Sequence, residues 1–282
     1  MSGVSTRFDR IDALRTVAML WMTVFHFCFD LNHFGLIDRQ NFYADPFWTW
    51  QRTGIVSLFL FTAGLSQSVA LTQQGLQSVP AWQRLDRRFW RRWGQVAACA
   101  VLVSVGSAFM FPNSFIYFGV LHGLAVMLII ARLSAGWRAG LWWLGGGALL
   151  LFYIAPFIIS TSDGWLFFNE KYANWLGFVS RKPVTEDYVP LLPWLAAVWW
   201  GMAAGQWMQS HRPHWLTGAP GGVSPATPSA ARASVPPARR VDACVRFIAW
   251  PGRWSLSYYM LHQPVLIGVL MAWVAWSGGQ HV

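Results

Sequence analysis

The sequence is poor in charge, and the charge that it carries is mostly positive. Only 11% of its 282 residues are charged, with 21 lysines and arginines against 11 acids. A soluble domain carries about twice that share of charged residues, so the composition argues against one. The chain is instead 55% hydrophobic and 17% aromatic, which is typical of a protein embedded in a membrane.

Cysteine is also scarce. Cys28, Cys99 and Cys244 are the three cysteines, they show no CxxC spacing, and they lie in or beside apolar runs. This pattern indicates neither a disulfide framework nor a thiolate metal site. We therefore expect no bound metal.

Long apolar runs are what the sequence has in abundance. A helix needs roughly 20 apolar residues to cross a bilayer. Seven runs come close to that length: 13–31, 54–72, 93–111, 115–133, 139–160, 190–209 and 254–276. We therefore predict an all-α polytopic membrane protein with about seven transmembrane helices.

The basic residues predict an orientation, because cytoplasmic loops are enriched in lysine and arginine. With a cytoplasmic N-terminus, 16 of the 21 basic residues fall on the inner side and the C-terminus lies outside. We expect a multi-pass protein of the inner (plasma) membrane. The positive charge follows the topology of short loops, so nucleic acid is not an expected partner.

One segment differs from the rest in composition. Residues 210–243 are rich in proline, alanine and arginine and have no apolar periodicity, which predicts a disordered cytoplasmic linker. It would join a six-helix body, residues 1–209, to residues 244–282. That last part would comprise an interfacial segment, 245–250, and the last transmembrane helix of the same domain.

Arg15 and His26 stand eleven residues apart in the first apolar run. Eleven residues make about three helical turns, so both side chains share one face, roughly 16 Å apart. Asp30 and His33 continue that face, and Asp30 is within reach of His26. Ionisable groups in lipid are energetically costly, so this stripe is a candidate functional site.

Two more histidines lie in predicted spans. His26 and His122 each lie about 10 Å below the outer edge by helical rise, and His262 lies nearer the midplane. The three could converge inside the bundle. The alternative is structural, with each ring bonded to a neighbouring group; for His262 that group could be a backbone carbonyl freed by Pro264.

A basic cluster is predicted on a short helix at the cytoplasmic side. Arginine side chains suit phosphates because their donors form a planar fork. Anchoring to anionic lipid is the ordinary alternative. The members are Arg84, Arg87, Arg88, Arg91 and Arg92.

Several segments together carry a resemblance to a known family. They are residues 7–15, 26–31, 118–122, 187–194 and 261–264. These motifs resemble bacterial membrane proteins related to the catalytic domain of heparan-alpha-glucosaminide N-acetyltransferase, over residues 7–209 and 254–268. The spacing of Arg15 and His26 also resembles the wider transmembrane acyltransferase group, although Thr16 stands where glycine is usual there.

The resemblance implies a transmembrane acyl transfer. Acetyl-CoA would bind from the cytoplasm with its phosphates on the arginines, and a sugar or glycan amine or hydroxyl would enter from outside. His26 would be the base or carry the acetyl group, Asp30 would orient it, and His122 would polarise the thioester. His33 is a second candidate base. In the lysosomal member of this family, the corresponding region has an asparagine at the position of His26 and a histidine further on. Arg15 and His262 would contact the donor.

Two other classes of function remain open from the sequence. One is a carrier of electrons or solute, with His26, His122 and His262 as haem ligands or substrate contacts. The other is a non-catalytic subunit of a glycan-export assembly. The expected partners are acetyl-CoA, the acceptor and the lipid bilayer, with a homodimer also open.

Overall fold

The computed structural model describes residues 8–212, 215 and 237–277. In this part of the chain the regular structure is helical, with short 3₁₀ turns and one isolated bridge between Phe118 and Tyr188. The α-helices are α1 (Asp9–His33), α2 (Pro46–Gln73), α3 (Arg87–Met110), α4 (Val120–Ser134), α5 (Gly140–Ile159), α6 (Leu191–His211), α7 (Pro237–Gly252) and α8 (Ser255–Trp276).

Six helical segments of the described residues are long and apolar enough to cross a membrane. They are α1, α2, α3, α4 with the turn that follows it, α5 and α8. The prediction of an all-α polytopic membrane protein is confirmed. The remaining predicted span, 190–209, coincides with α6, which has 21 residues but is not among these six.

The chain divides into two compact units. The first comprises residues 1–55 and 207–282, and the second comprises residues 56–206. Each unit contains one close pairing of helices that bears on the number of spans.

In the second unit, α2 and α6 pack backbone against backbone at glycines. A Cβ on Gly64 would lie 2.0 Å from the Val198 carbonyl oxygen, and one on Gly201 would lie 2.0 Å from that of Phe61. Gly205 meets Ser68 further along. Small residues allow such close approach between membrane helices. Because contact advances from Phe61 to Ser68 as it advances from Gly201 to Gly205, the two helices run in the same direction.

In the first unit, α1 and α8 also run in the same direction. Asp9 bonds to Arg253, Thr23 to Tyr258 and Asp30 to Gln263, so both residue numbers rise together. Consecutive spans alternate in direction, so two parallel spans must be separated along the chain by an odd number of other spans. Helices α2 to α5 supply four, and α6 supplies the fifth, which agrees with seven spans.

Two predicted boundaries differ from the observed ones. The predicted span 115–133 begins too early, because Phe118 pairs with Tyr188 and Gly119 caps the helix that starts at Val120. The predicted disordered linker also extends too far. Residues 237–243 are the first turns of α7, because alanine, arginine and valine continue a helical run into 244–250. Of the rest of that linker, residues 213–214 and 216–236 lie outside the described residues.

Candidate functional site

A polar stripe joins α1 to α8 within the first unit. Thr23 Oγ1 lies 2.6 Å from Tyr258 Oη, and Gln263 Nε2 donates to Asp30 Oδ1 over 2.9 Å. Between these two contacts, His26 Nδ1 lies 2.8 Å from His262 Nε2. Residues 23, 26 and 30 fall on one face of α1 because they follow helical spacing. The stripe therefore places three polar contacts between two membrane-spanning helices.

The paired histidines are held in a fixed geometry. Their ring planes differ by 21° and their centroids lie 5.0 Å apart, and the Tyr258 ring lies nearly parallel to that of His262 at 5.9 Å. His262 is buried, whereas His26 is only partly buried. Of the three histidines predicted to converge, the structure brings these two together in the first unit.

The hydrogen bonds decide which nitrogen of each neutral ring carries the proton. His262 Nδ1 lies 2.8 Å from the Tyr259 carbonyl oxygen, and a carbonyl only accepts, so His262 carries its proton on Nδ1. His262 Nε2 is then an acceptor, and His26 Nδ1 must donate to it. A neutral His26 therefore keeps the lone pair on Nε2, which has no hydrogen-bond partner among the described residues.

The sequence suggested that Asp30 orients His26, but among the described residues the two side chains form no hydrogen bond with each other. Asp30 Oδ1 accepts from Gln263, and His26 Nδ1 is already engaged by His262. Asp30 lies one turn from His26 on α1, but the hydrogen-bond partner of His26 is His262 on α8. His33 lies in the last turn of α1 with its exposed ring edge-on to Phe34, away from this pair of contacts.

His122 lies in the second unit, where it caps a helix. It is the third residue of α4, so it is nearer the helix start than predicted. The Gly119 N–H donates to its Nδ1 over 3.3 Å, and its Nε2 lies 3.1 Å from Ser104 Oγ. Both ring nitrogens are occupied within the fold. This geometry favours the structural alternative over polarisation of a thioester.

The loop before α6 completes the same cap. Asp187 Oδ2 accepts from the Val120 N–H over 2.7 Å, which satisfies a donor at the start of α4. Tyr188 Oη donates to the Asn174 carbonyl, and Asn174 Nδ2 donates to Tyr117 Oη. Burial, more than the proximity of Tyr117, raises the pKa of Tyr188. Burial also raises the pKa of Tyr117 against the opposing effect of the Asn174 hydrogen bond, so both phenols are protonated at neutral pH.

The predicted arginine cluster separates into two kinds of residue. Arg84 is buried in a 3₁₀ turn, donates to the Leu133 carbonyl over 3.3 Å and packs against Gly136. Because only 8% of Arg84 is exposed, burial keeps its guanidinium away from a phosphate in solvent. Four arginines of the first turns of α3 are exposed to solvent: Arg87, Arg88, Arg91 and Arg92.

Arg15 lies in the second turn of α1 and pairs with Asp12 on its own helix. The Arg15 Nη1 to Asp12 Oδ1 distance is 2.8 Å, and about a quarter of the arginine side chain, 27%, stays exposed. The predicted contact with an acyl donor stays a prediction.

The sequence did not point to Thr23, Tyr258 or Gln263 as members of this site. A threonine in a span is common, and Tyr258 and Gln263 become notable only beside α1. One signal was present: Tyr258 and His262 are four residues apart and so share a face of α8.

Neither the curated proteins nor the solved structures contain a match to this chain. A family match covers residues 7–264, described as heparan-alpha-glucosaminide N-acetyltransferase, catalytic. The match includes α1 and the part of α8 that carries His262 and Gln263. The chain therefore belongs to the family of the catalytic domain of heparan-alpha-glucosaminide N-acetyltransferase.

Proposed function

We propose that this protein transfers an acetyl group from acetyl-CoA to an amine or hydroxyl of a sugar or glycan. The observation that supports this most directly is the His26–His262 pair, which leaves His26 Nε2 unprotonated in a membrane-spanning helix. A positioned imidazole with a free lone pair is what general base catalysis or acyl acceptance requires. Membership of an acetyltransferase family supplies the reaction class.

The chemistry follows from that free nitrogen. His26 Nε2 takes the proton of the acceptor amine or hydroxyl as the nucleophile attacks the thioester carbonyl. The carbon–sulfur bond then breaks, and the CoA thiolate takes the proton from His26. In the alternative order, Nε2 attacks the thioester carbonyl, the carbon–sulfur bond breaks and CoA leaves as the thiolate. The acceptor then attacks the acetyl-imidazole, the imidazole leaves, and the proton of the acceptor passes to the thiolate. In both orders His262 holds the ring in the tautomer that presents Nε2.

Acetyl-CoA carries several phosphates, and the exposed arginines at the start of α3 are suited to bind them. Arg87, Arg88 and Arg91 fall within two turns and leave their guanidinium groups in solvent. Arginine forms charge-assisted bonds with phosphate oxygens. In the predicted orientation this end of α3 faces the cytoplasm, where acetyl-CoA is available, and the acceptor arrives from the opposite side of an inner membrane.

The test is transfer by the purified protein in lipid vesicles. Acetyl-CoA labelled in the acetyl group is added on one side, with glucosamine or a glucosamine-terminated oligosaccharide on the other. We expect labelled, N-acetylated sugar that depends on the protein. Vesicles containing correctly folded protein that transfer no label to amine or hydroxyl acceptors would refute the proposal.

A carrier of electrons or solute is the competing interpretation. A haem iron bound by His26 and His262 would need both rings to turn toward the metal, whereas here they bond to each other. A visible haem spectrum in the purified protein would favour the carrier.

A further inference from the structure

Two buried oxygen atoms at the α1–α8 contact lack a donor. Asp30 Oδ2 and Gln263 Oε1 have no hydrogen-bond partner among the residues that the structure describes. The two side chains are joined by Gln263 Nε2 donating to Asp30 Oδ1 at 2.9 Å, so the unpartnered oxygens belong to one bonded pair. Asp30 is only 3% exposed.

Such an arrangement is costly unless something binds to it. A buried polar atom without its hydrogen bond loses its hydration without compensation, and a buried carboxylate loses more. Within a membrane-spanning helix this marks a functional group rather than a stabilising one. Gln263 neutralises none of the carboxylate charge, because an amide donates a hydrogen bond but carries no charge.

The neighbouring ionisable groups do not supply the missing donor. His26 and His262 bond to each other, and His262 Nδ1 is taken by the Tyr259 carbonyl. His33, three residues beyond Asp30, interacts with it electrostatically but is exposed and forms no hydrogen bond with it. Arg15 lies fifteen residues earlier on α1, roughly 22 Å along the axis, beside Asp12.

We propose that Asp30 Oδ2 and Gln263 Oε1 bind a protonated primary amine. An ammonium group has three donors and one positive charge, so it satisfies both oxygens and compensates the carboxylate. A hydroxyl has one donor and no charge, so it would leave one of the two oxygens without a donor and the carboxylate charge uncompensated. The matching chemistry is therefore that of an amino sugar rather than a neutral sugar.

This subsite deepens the proposed function, on which it rests for one point: that the bound amine is the acetyl acceptor. Asp30 lies one helical turn from His26, about 6 Å along the axis. An ammonium held at Asp30 loses one proton to His26 Nε2 and becomes the neutral amine that attacks the thioester. The carbon–sulfur bond then breaks, the second amine proton passes to the CoA thiolate, and His26 releases the first proton to solvent. Asp30 is then a substrate ligand, whereas His262 fixes the tautomer of His26.

The experiment measures binding without any acetyl donor. Methyl glucosaminide and methyl glucoside, which differ in an amine against a hydroxyl, are titrated into the detergent-purified protein by calorimetry. We expect the amine to bind more tightly than the hydroxyl compound. Asp30→Asn should weaken the amine by about 10- to 100-fold and leave the hydroxyl compound nearly unchanged, because a hydrogen bond to a charged group is lost.

Two further variants serve as controls for folding and for the loss of an unrelated acid. Gln263→Glu adds a second carboxylate and should tighten the amine, which a loss of folding could not do. Asp38→Asn removes an exposed acid of the loop after α1 and should change neither affinity. Equal binding of both glycosides, or amine affinity unchanged in Asp30→Asn and Gln263→Glu, would overturn the subsite. Amine binding that depends on Asp30 in a protein that transfers no acetyl group would keep the subsite and refute the proposed function.

Discussion

A histidine in a membrane span is a base only if one of its ring nitrogens keeps a free lone pair. In this protein the Tyr259 carbonyl sets the proton of His262, and His262 sets that of His26. The chain of two hydrogen bonds does the orienting work that an aspartate performs beside a histidine in many hydrolases. It needs no charge buried next to the base.

Replacing His262 tests this positioning role. In His262→Leu, His26 loses the acceptor that fixes its tautomer, so turnover should fall about 10- to 100-fold while the KM for acetyl-CoA stays unchanged. His262→Gln offers a side-chain oxygen in its place and should recover part of the loss. Steady-state kinetics of both variants checks the split between kcat and KM. A His262→Leu enzyme with normal kcat would contradict the assigned role.

From the sequence, His26, His122 and His262 could converge, but the direct neighbour it favoured for His26 was Asp30. Spacing within one helix indicates which residues share a face, and this favoured Asp30 as the neighbour. His26 and His262 are 236 positions apart, and their contact depends on the register between α1 and α8. No local pattern specifies that register.

The arginines at the start of α3 differ in what they do. Arg91→Ala removes an exposed donor and should raise the KM for acetyl-CoA by about tenfold with little effect on stability. Arg84→Ala removes the bond to the Leu133 carbonyl and should lower the free energy of unfolding by about 1–3 kcal/mol with an unchanged KM in the folded fraction. Kinetics and thermal unfolding of the two variants check this. An unchanged KM in Arg91→Ala would point to lipid anchoring as the role of that residue.

At the scale of the helices, close glycine contacts determine which elements can pair. Gly64 and Gly201 bring the α2 and α6 backbones together, and no side chain fits there. The apolar runs predicted both helices. Their pairing could not be predicted, because glycines that face lipid and glycines that face a helix look alike in sequence. Gly146 on α5, for example, faces open space.

Substitution of these glycines tests the α2–α6 contact. Gly201→Ala puts a Cβ 2.0 Å from the Phe61 carbonyl oxygen, so the helices must move apart at a cost of about 1–3 kcal/mol. Gly146→Ala is the matched control, because its Cβ meets no atom within 4 Å. Thermal unfolding in detergent should separate the two. Equal stability of both variants would mean that α2 and α6 do not pack in this way.

At the scale of the whole chain, two parallel helix pairs define the membrane topology. The pairs α1–α8 and α2–α6 each need an odd number of crossings between their members, and both counts are met if α6 is a span. Helix α6 is not among the six helices that length and composition identify as candidate spans, so its assignment as a span depends on these pairings. Charge asymmetry predicts which side is the cytoplasm.

This topology predicts an external C-terminus and a cytoplasmic N-terminus. A cysteine placed at Ser277 should react with an impermeant thiol reagent in intact cells, whereas one placed at Asp9 should react only after the cells are permeabilised. Both lie at helix ends and are accessible at least in part. Labelling of both positions from the same side would rule out an odd number of spans.

The most direct test of the central claim is acetyl transfer by His26→Ala. If His26 Nε2 is the base or acyl acceptor, turnover should fall by about two to four orders of magnitude. Acetyl-CoA affinity should survive, and His33→Ala and His122→Ala should retain most of the turnover of their folded fractions. Near-normal turnover in folded His26→Ala, with loss in His33→Ala or His122→Ala, would contradict the account.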